Sequence, residues 1–292
     1  MPVVFLGTSA FAADTLTDIA ARADTRPALV ITRPDRPAGR GRLLTAPPVA
    51  ERARELGIAV AQPQEVGGPE SRAAIAAAAG EGPLVVCAFG AMIREPLLSE
   101  HEILNVHPSL LPRWRGAAPI ERAIMAGDTR TGVSLMRLVA ELDAGPVCSV
   151  AAVTIEPDDD FATLSARLAG LAGALVAQAL QAPRRYLEQD GAGVTYAEKL
   201  TAADRELDPR RPAEELERRV RALHPHLGAR LPDGLGVAAA RVSSRPTPAG
   251  ALAAQEGRLF YGATPGTLEL LLVQPPGKRA MEAAAYLRGH AL

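Results

Sequence analysis

Aromatic residues and cysteines are scarce in this chain of 292 residues. Phe, Trp and Tyr together make up 3% of it, so the core must be built from Ala, Leu and Val, and aromatic platforms for stacking nucleic-acid bases are not expected. The two cysteines, Cys87 and Cys148, have neither the spacing of a metal site nor the number that a disulfide framework needs. We therefore expect a protein of a reducing compartment.

Hallmarks of secretion and of membrane insertion are also absent from the sequence. No basic and apolar leader opens the chain, and no apolar run approaches the roughly 20 residues of a membrane-spanning helix. These absences favour a cytoplasmic protein with no membrane partner. The net charge of −1 gives no sign of nucleic-acid binding by itself, although residues 198–292 are mildly basic.

Lysine contributes very little of the positive charge, since only Lys199 and Lys278 among the 32 basic residues are lysines. Arginine suits phosphate groups because its planar head can donate two parallel hydrogen bonds. The same bias also results from a GC-rich genome, so composition leaves both explanations open.

Strand-like and helix-like segments alternate over the first two thirds of the chain. Short apolar runs such as Pro2–Leu6, Leu84–Ala88 and Ile103–Val106 predict strands. Longer runs such as Ala10–Arg22 and Phe161–Leu180 predict helices. This alternation is typical of βαβ units, and it indicates an α/β fold with a mostly parallel sheet.

The alternation stops near residue 190. The turn-rich segments Gln189–Gly193 and Pro209–Pro212 frame a polar stretch, and short β-like runs separated by Pro and Gly follow. We expect a first domain over residues 1–190, a linker over residues 191–208 and a smaller β-rich domain over residues 209–292.

The most informative segment is Asn105–Pro112, which reads Asn-Val-His-Pro-Ser-Leu-Leu-Pro. Asn105 and His107 follow an apolar run, and strand alternation puts both side chains on the same face. The prolines then take the chain out of the strand. An amide and an imidazole thus lie where a strand gives way to a loop, which is where ligands bind in open α/β sheets. Taken alone, such a histidine is more often a satisfied structural residue.

A carboxylate further along favours a catalytic interpretation. Asp143 lies in the polar loop Leu142–Pro146, which follows another predicted strand, and a carboxylate near an imidazole fixes its tautomer. Asn, His and Asp without a Ser or Cys nucleophile at the motif predict direct group transfer by acid–base catalysis and oxyanion stabilisation. A metal site is disfavoured because no second His stands at ligand spacing.

One segment is dense in positive charge. Arg33–Arg42 contains four arginines and one acid, spaced by Pro and Gly, and so few apolar residues that it cannot bury itself. It is either a solvated connection or a loop that binds phosphates. We favour phosphate binding because a loop of this length is unusual within a βα unit.

These segments together resemble the methionyl-tRNA formyltransferases, a family that uses 10-formyltetrahydrofolate. The motif Asn-x-His-x-Ser-Leu-Leu-Pro marks the wider group, which includes glycinamide ribonucleotide and amino-sugar formyltransferases. The arginine loop, the Arg-Trp-Arg-Gly-Ala-Ala-Pro extension and the C-terminal region narrow the resemblance to the tRNA enzymes. The resemblance is carried by Arg33–Arg42, Asn105–Pro119, Gly132–Gly145, Thr195–Leu200 and Gln274–Met281.

The resemblance implies a Rossmann-like catalytic domain followed by an OB-like β-barrel domain. It implies transfer of a formyl group from N10 of the folate to the α-amino group of methionyl initiator tRNA, by a monomer and without a metal. By motif match, the catalytic residues would be Asn105, His107 and Asp143. The folate pocket would include Ser109, Leu110, Leu111 and Pro112, with Phe89 and Gly90 from the loop Val86–Ala91. The tRNA would be bound by Arg33, Arg36, Arg40 and Arg42, and by Lys278 and Arg279 in the C-terminal domain.

Two alternatives and one departure qualify this interpretation. The chain could be a formyltransferase for a small amine, such as an amino sugar or a purine precursor, or a non-catalytic RNA-binding adaptor. Where the family often has an Asn-Pro-Trp-Pro-like stretch, this chain has Leu223–Gly228 without the tryptophan. The contacts of that domain with tRNA are therefore left open.

Overall fold

The computed structural model describes residues 2–38 and 43–290. The chain folds into two compact units, and each unit is assembled from separate stretches of sequence. The first comprises Met1–Gly116, Thr131–Val153 and Ser165–Tyr196, and the second comprises Ala117–Arg130, Thr154–Leu164 and Ala197–Leu292. The expected domains are each one continuous stretch of sequence, with boundaries at residues 190 and 208. These units differ from them because each combines three stretches of the chain. The expected boundaries stay predictions.

The helices and strands follow one another closely along the chain. In order they are β1 (Val4–Gly7), α1 (Ala10–Ala20), β2 (Leu29–Ile31), β3 (Arg36–Ala38), β4 (Leu43–Thr45), α2 (Pro48–Glu55), β5 (Ala59–Ala61), α3 (Pro69–Ala79), β6 (Leu84–Cys87), α4 (Leu97–Glu100), β7 (Ile103–His107), β8 (Arg115–Gly116), α5 (Pro119–Ala126), β9 (Arg130–Arg137), β10 (Val147–Thr154), α6 (Phe161–Gln181), β11 (Tyr196–Ala197), a 3₁₀ turn (Ala203–Arg205), α7 (Ala213–Leu223), β12 (Ala229–Arg230), β13 (Gly236–Ser243), β14 (Leu252–Gln255), β15 (Arg258–Gly262), β16 (Thr267–Gln274), β17 (Met281–Glu282) and α8 (Ala283–Gly289).

A seven-stranded sheet forms the centre of the first unit, with the strand order β10-β9-β7-β6-β1-β2-β5. Strands β5, β2, β1, β6 and β7 run parallel to one another. Strands β1, β2 and β6 are buried throughout, which explains why each is an unbroken apolar run in the sequence. The prediction of a Rossmann-like, mostly parallel sheet is confirmed.

One neighbour of β7 breaks the parallel arrangement. Strand β9 runs antiparallel to β7, with His107 opposite Ser134. The carboxyl end of β9, at Arg137, therefore lies beside Leu104 at the beginning of β7. As a result, the polar loop after β9 starts from the edge of the sheet opposite to the edge where β7 ends.

The arginine-rich segment contributes a strand, β3, which its sequence does not predict. Strands β3 and β4 pair antiparallel, with Arg36 opposite Thr45 and Pro37 opposite Leu44. Proline is tolerated in such a two-stranded ribbon because both strands have a free edge. The predicted tRNA-binding residues Arg40 and Arg42 lie outside the described residues.

Helix α6 is the one helix within residues 2–38 and 43–290 that is long and apolar enough to cross a membrane. It has 21 residues, and its most apolar stretch has a mean hydropathy of 1.3. The expectation that no apolar run approaches membrane-spanning length is wrong when length and mean hydropathy are the criteria. Single polar residues interrupt the apolar run of α6 but do not lower its mean hydropathy enough to exclude it. Half of the stretch is buried inside the protein, and core helices pass the same test.

The second unit is organised around an antiparallel sheet with the order β12-β13-β16-β15-β14, and β17 pairs with β16. Helix α7 contributes Ala213, Leu216, Val220 and Leu223 to the core, at spacings that put them on one helical face. The predicted β-rich C-terminal domain is confirmed as an antiparallel sheet domain.

Candidate active site

Two buried polar side chains lie near the end of β7. Asn105 is 9% exposed and His107 is 4% exposed, and their spacing puts them on the same face of the strand. The strand ends at His107, and Pro108 begins the segment that leaves the sheet. A buried amide and a buried imidazole cost free energy unless they find hydrogen-bond partners. The structure supplies these partners from other segments of the chain.

The carboxylate of Asp143 lies against both side chains. Its Oδ1 accepts a hydrogen bond from Nδ2 of Asn105 at 3.3 Å, and its Oδ2 lies 3.7 Å from Nδ1 of His107. Oδ2 also accepts the backbone N–H of Gly116 at 2.8 Å. The structure therefore brings the predicted trio together, and two donors fix the position of the carboxylate.

The second ring nitrogen of His107 also has a partner. Its Nε2 lies 2.8 Å from the backbone oxygen of Trp114. A carbonyl oxygen only accepts, so Nε2 carries the proton in this arrangement. Trp114 has a φ of 63°, in the left-handed region that is unusual for a bulky residue and that recurs at functional sites. This contact fixes the tautomer, and Nδ1 is left to face Asp143.

The loop that carries Asp143 folds back over the sheet. It leaves β9 at the far edge and must return along the face to reach His107. The N–H of Arg137 donates to the carbonyl of Pro146 at 2.9 Å, which closes the loop. A Cβ added at Gly145 would lie 1.9 Å from the carbonyl oxygen of Arg137, so this turn requires glycine.

One further side chain, Gln189, binds this loop, and a second, Arg115, binds Gln189. Nε2 of Gln189 donates to the carbonyl oxygens of Asp143 and Gly145, both at 2.8 Å. Oε1 of Gln189 accepts from Nε and Nη2 of Arg115, at 3.1 and 2.8 Å. The signals in the sequence are weak, since Arg115 is one arginine of a basic segment and Gln189 stands in a turn-rich break.

The four residues predicted to line a folate pocket after β7 are of two kinds. Ser109 is fully buried and donates to the carbonyl of Arg113 at 2.6 Å, so its hydroxyl stabilises the loop. Leu110, Leu111 and Pro112 are half-buried and keep apolar surface accessible. The second group is therefore better placed to contact a ligand.

The loop after β6 begins at the same sheet edge, because β6 and β7 are parallel neighbours. The side chain of Phe89 is buried in the core, and its carbonyl accepts from Oγ1 of Thr8 at 2.7 Å. Gly90 has a φ of 71°, and its carbonyl accepts from Nη1 of Arg33 at 3.1 Å. Phe89 can therefore offer a ligand only its backbone.

Four of the six cations predicted to bind tRNA belong to the described residues. Arg36, Lys278 and Arg279 are exposed. Arg33 is half-buried and bound to the Gly90 carbonyl, so it connects the basic segment to the loop after β6. The exposed three are the ones whose charge is available to a phosphate.

The thiol on the neighbouring strand is unsuited to nucleophilic catalysis. Cys87 ends β6 opposite Val106 on β7, and burial raises the pKa of its thiol to about 12. It therefore stays protonated at neutral pH, whereas the thiolate is the nucleophile. Among the described residues, no three His, Cys, Asp or Glu side chains are grouped so as to hold a metal ion.

Comparisons with known proteins agree along the whole chain. Residues 1–180 match the family model "Formyl transferase", and residues 199–291 match "Formyl transferase, C-terminal domain". A Methionyl-tRNA formyltransferase of Methylococcus capsulatus is 43% identical over 100% of this chain and 98% of its own length. One of Halorhodospira halophila is 45% identical over 99% of this chain and 96% of its own length.

The fold is shared with more distant proteins. The N-formyltransferase from Helicobacter canadensis, solved with folinic acid and dTDP-3-aminofucose, superposes with a TM-score of 0.69 at 13% identity. The match covers 92% of this chain and 98% of that protein. The resemblance inferred from the motifs is confirmed by the closer relatives, and the chain belongs to the formyl transferase family.

Proposed function

We propose that this protein transfers the formyl group of 10-formyltetrahydrofolate to the α-amino group of methionyl initiator tRNA, giving formylmethionyl-tRNA for translation initiation. The observation that carries the proposal is the buried contact of Asn105, His107 and Asp143 near the end of β7. The relatives that are 43% and 45% identical over the full length support tRNA as the acceptor.

The reaction exchanges one C–N bond for another. The free amine attacks the formyl carbon, and the formyl oxygen gains negative charge. The bond between carbon and N10 then breaks as N10 takes a proton and the amine loses one. The enzyme therefore needs to stabilise an oxyanion and to handle protons, and no bond between enzyme and formyl group is required.

Asn105 is the proposed donor to the oxyanion. One hydrogen of its Nδ2 is directed to Asp143 at 3.3 Å, which leaves the second for the formyl oxygen. Because Asp143 holds the amide in place beforehand, little reorganisation is needed when the charge develops.

His107 is proposed to join as the charge builds up. Its Nε2–H donates to the neutral carbonyl of Trp114 at 2.8 Å. A negatively charged oxygen is the stronger acceptor, so the developing oxyanion draws this hydrogen away from Trp114.

Asp143 is proposed to orient the Asn105 amide and to organise the water that takes the amine proton. Its side chain is 11% exposed, so solvent reaches part of it. The N–H of Gly116 and the amide of Asn105 keep it directed toward the reacting centre.

The folate is proposed to bind at the edge where the parallel strands β6 and β7 both end. Leu110, Leu111 and Pro112 would give apolar surface to its flat ring, and the backbone at Gly90 would border it. Arg36, Lys278 and Arg279 are proposed to bind tRNA phosphates, as are Arg33, Arg40 and Arg42 of the basic segment. We place the reaction in the cytoplasm, and we expect a monomer that needs no metal and no membrane.

The two alternatives differ from this proposal in what they require of the chain. A formyltransferase for small amines would not depend on Arg36, Lys278 or Arg279. An RNA-binding adaptor would not need the amide, the imidazole and the carboxylate to contact one another. Taking a carboxylate out of water costs free energy, and an adaptor would gain nothing in return. The contact at 3.3 Å between Asn105 and Asp143 therefore argues against the adaptor.

The proposal is tested with full-length protein, 10-formyltetrahydrofolate and methionylated initiator tRNA, and formylmethionine is measured after deacylation. Free methionine and elongator methionyl-tRNA are the controls. We expect formylation of the initiator species. Turnover of a small amine but not of tRNA, or tRNA binding without folate-dependent turnover, would replace the proposal with one of the alternatives.

A further inference from the structure

We infer that Gln189, oriented by Arg115, is a positioning residue that places the Asp143 carboxylate for formyl transfer, an inference that rests on the proposed function. Gln189 binds the main chain on both sides of Ala144, through the carbonyls of Asp143 and Gly145, each at 2.8 Å. One amide nitrogen thus defines the path of the backbone at the residue whose side chain faces Asn105 and His107.

The loop needs such a constraint because of its conformation. Asp143 has a φ of 46°, in the left-handed region, where a non-glycine residue stays only if its surroundings hold it there. The loop also reaches Asn105 and His107 from the sheet edge where β7 begins, so its position is not set by the end of a strand. The two hydrogen bonds from Gln189 are directed at this strained turn.

Arg115 determines which way the Gln189 amide faces. A guanidinium only donates, so its Nε and Nη2, at 3.1 and 2.8 Å, must meet Oε1. The amide NH₂ is then turned toward the loop carbonyls. Arg115 is only 8% exposed, and its charge is directed to this one oxygen and, at 3.9 Å, to Glu141 of the same loop.

The two residues of β8 act on the backbone and on the side chain of Asp143. The side chain of Arg115 acts on its backbone through Gln189, and the N–H of Gly116 binds its carboxylate at 2.8 Å. A two-residue strand thereby couples the main chain and the side chain of Asp143. A contact that only stabilised the loop would not have to act on the carboxylate as well, so the arrangement favours a role in placing this group.

The segment that carries Gln189 is itself fixed to the sheet. Leu187 and Val147 exchange two backbone hydrogen bonds, at 2.8 and 2.9 Å. Nη2 of Arg184 binds Oε2 of Glu102 at 2.5 Å, and the hydroxyl of Tyr186 donates to Oε1 of Glu102 at 2.6 Å. Gln189 therefore acts from a rigid base.

The test variant is Gln189→Glu, which keeps the size and the pairing with Arg115 but turns a carboxylate oxygen toward two carbonyl oxygens. A misplacement of about 1 Å can cost roughly 10²-fold in rate, so we expect kcat to fall by about that factor while KM for both substrates changes by less than about threefold. Gln178→Glu on the exposed face of α6 is the matched control and should leave both constants unchanged.

A double-mutant cycle separates positioning from general destabilisation. In an Asp143→Asn background the carboxylate is already gone, so adding Gln189→Glu should cost little more. Full kcat in Gln189→Glu overturns the inference, and so does an equal loss in both backgrounds. If Gln189→Glu does not fold, Arg115→Lys replaces it, because a lysine cannot make the forked contact that fixes the amide.

Backbone hydrogen exchange gives a readout that needs no substrate. We expect residues 138–146 to exchange faster in Gln189→Glu than in the wild type, with the exchange of β1 and β6 unchanged. Unchanged exchange in residues 138–146 overturns the inference. Wild-type protein that does not formylate methionyl-tRNA overturns the proposed function instead, and the exchange experiment still decides whether Gln189 positions the loop.

Discussion

The carboxylate of Asp143 accepts the backbone N–H of Gly116 at 2.8 Å, and this bond ties the loop after β9 to the short strand β8. The same carboxylate binds Asn105 and faces His107. A main-chain donor cannot be removed by substitution of a side chain, so the acceptor side is the place to test the arrangement.

Replacing Asp143 with Asn should lower kcat strongly. The new NH₂ group cannot accept from Asn105 or Gly116, so the side chain is no longer held as the carboxylate is and the Asn105 amide shifts. We expect a loss of about 10²-fold, the usual cost of misplacing a catalytic group by about 1 Å. Steady-state kinetics measure the effect, with the exposed Asp158→Asn as control. Wild-type turnover in Asp143→Asn would remove the carboxylate from the mechanism.

Replacing Asn105 with Ala removes the side chain that we propose as the preorganised donor to the oxyanion. We expect kcat to fall by about 10²–10³-fold, which is the usual effect of losing one oxyanion donor. The KM values should change little because the donor acts mainly in the transition state. Single-turnover formylation measures the chemical step, and a variant that keeps nearly full activity would contradict the assignment.

Gly145→Ala should lower the activity of the protein, whereas Gly170→Ala should raise its stability. A Cβ at Gly145 would lie 1.9 Å from the carbonyl oxygen of Arg137, so the loop carrying Asp143 must shift and activity should fall. A Cβ at Gly170 in α6 meets nothing within 4 Å, and alanine there should raise the free energy of unfolding by about 0.5–1 kcal/mol. Urea unfolding and kinetics on both variants check this, and full activity in Gly145→Ala would show that the loop tolerates the shift.

Neutralising the exposed cations should weaken tRNA binding without changing the chemistry. For Arg36→Ala, Lys278→Ala and Arg279→Ala we expect a higher KM for tRNA, an unchanged KM for the folate, and a salt dependence of binding that falls by roughly one phosphate contact per residue. Filter binding at several salt concentrations measures this, with the exposed Arg185→Ala as control. Equal losses in the control would mean that net charge alone is responsible.

Glu269 should make the stability of the second unit depend on pH. Its hydrogen bond from Arg258, with a further one from Arg241, lowers the pKa of the carboxyl from 4.5 to about 2 although burial opposes the shift. A carboxyl with a lowered folded pKa stabilises the fold above its unfolded pKa and loses this contribution as the pH falls toward the folded value.

The stability difference between the wild type and Glu269→Gln should therefore be largest at neutral pH and should shrink as the pH falls from about 4.5 toward 2. Thermal unfolding across this range measures it, and the exposed Glu282→Gln serves as control. A difference that stays constant over the whole range would show that the carboxylate charge is not the source.

Much of the fold and the core of the site follow from local sequence patterns. The apolar runs predict the central strands because a buried parallel strand has apolar residues on both faces. Alternation predicts that Asn105 and His107 share a face, since both lie in one strand whatever the rest of the chain does. The pairing of β3 with β4 is not predictable in this way, because Pro37 and the arginines do not give β3 the alternating pattern of a strand.

The sequence by itself determined the residues to which we assign the chemistry, which are an amide and an imidazole at fixed spacing and a carboxylate in a polar loop. It also determined the motif that carries the family resemblance. Only the tertiary structure decided how they meet. Because β9 runs antiparallel to β7, Asp143 reaches Asn105 and His107 by a loop that folds back over the sheet. The Trp114 carbonyl selects the His107 tautomer, and Gln189 binds the Asp143 loop. Local periodicity encodes the face of a strand, whereas contacts between distant segments depend on how the whole chain packs.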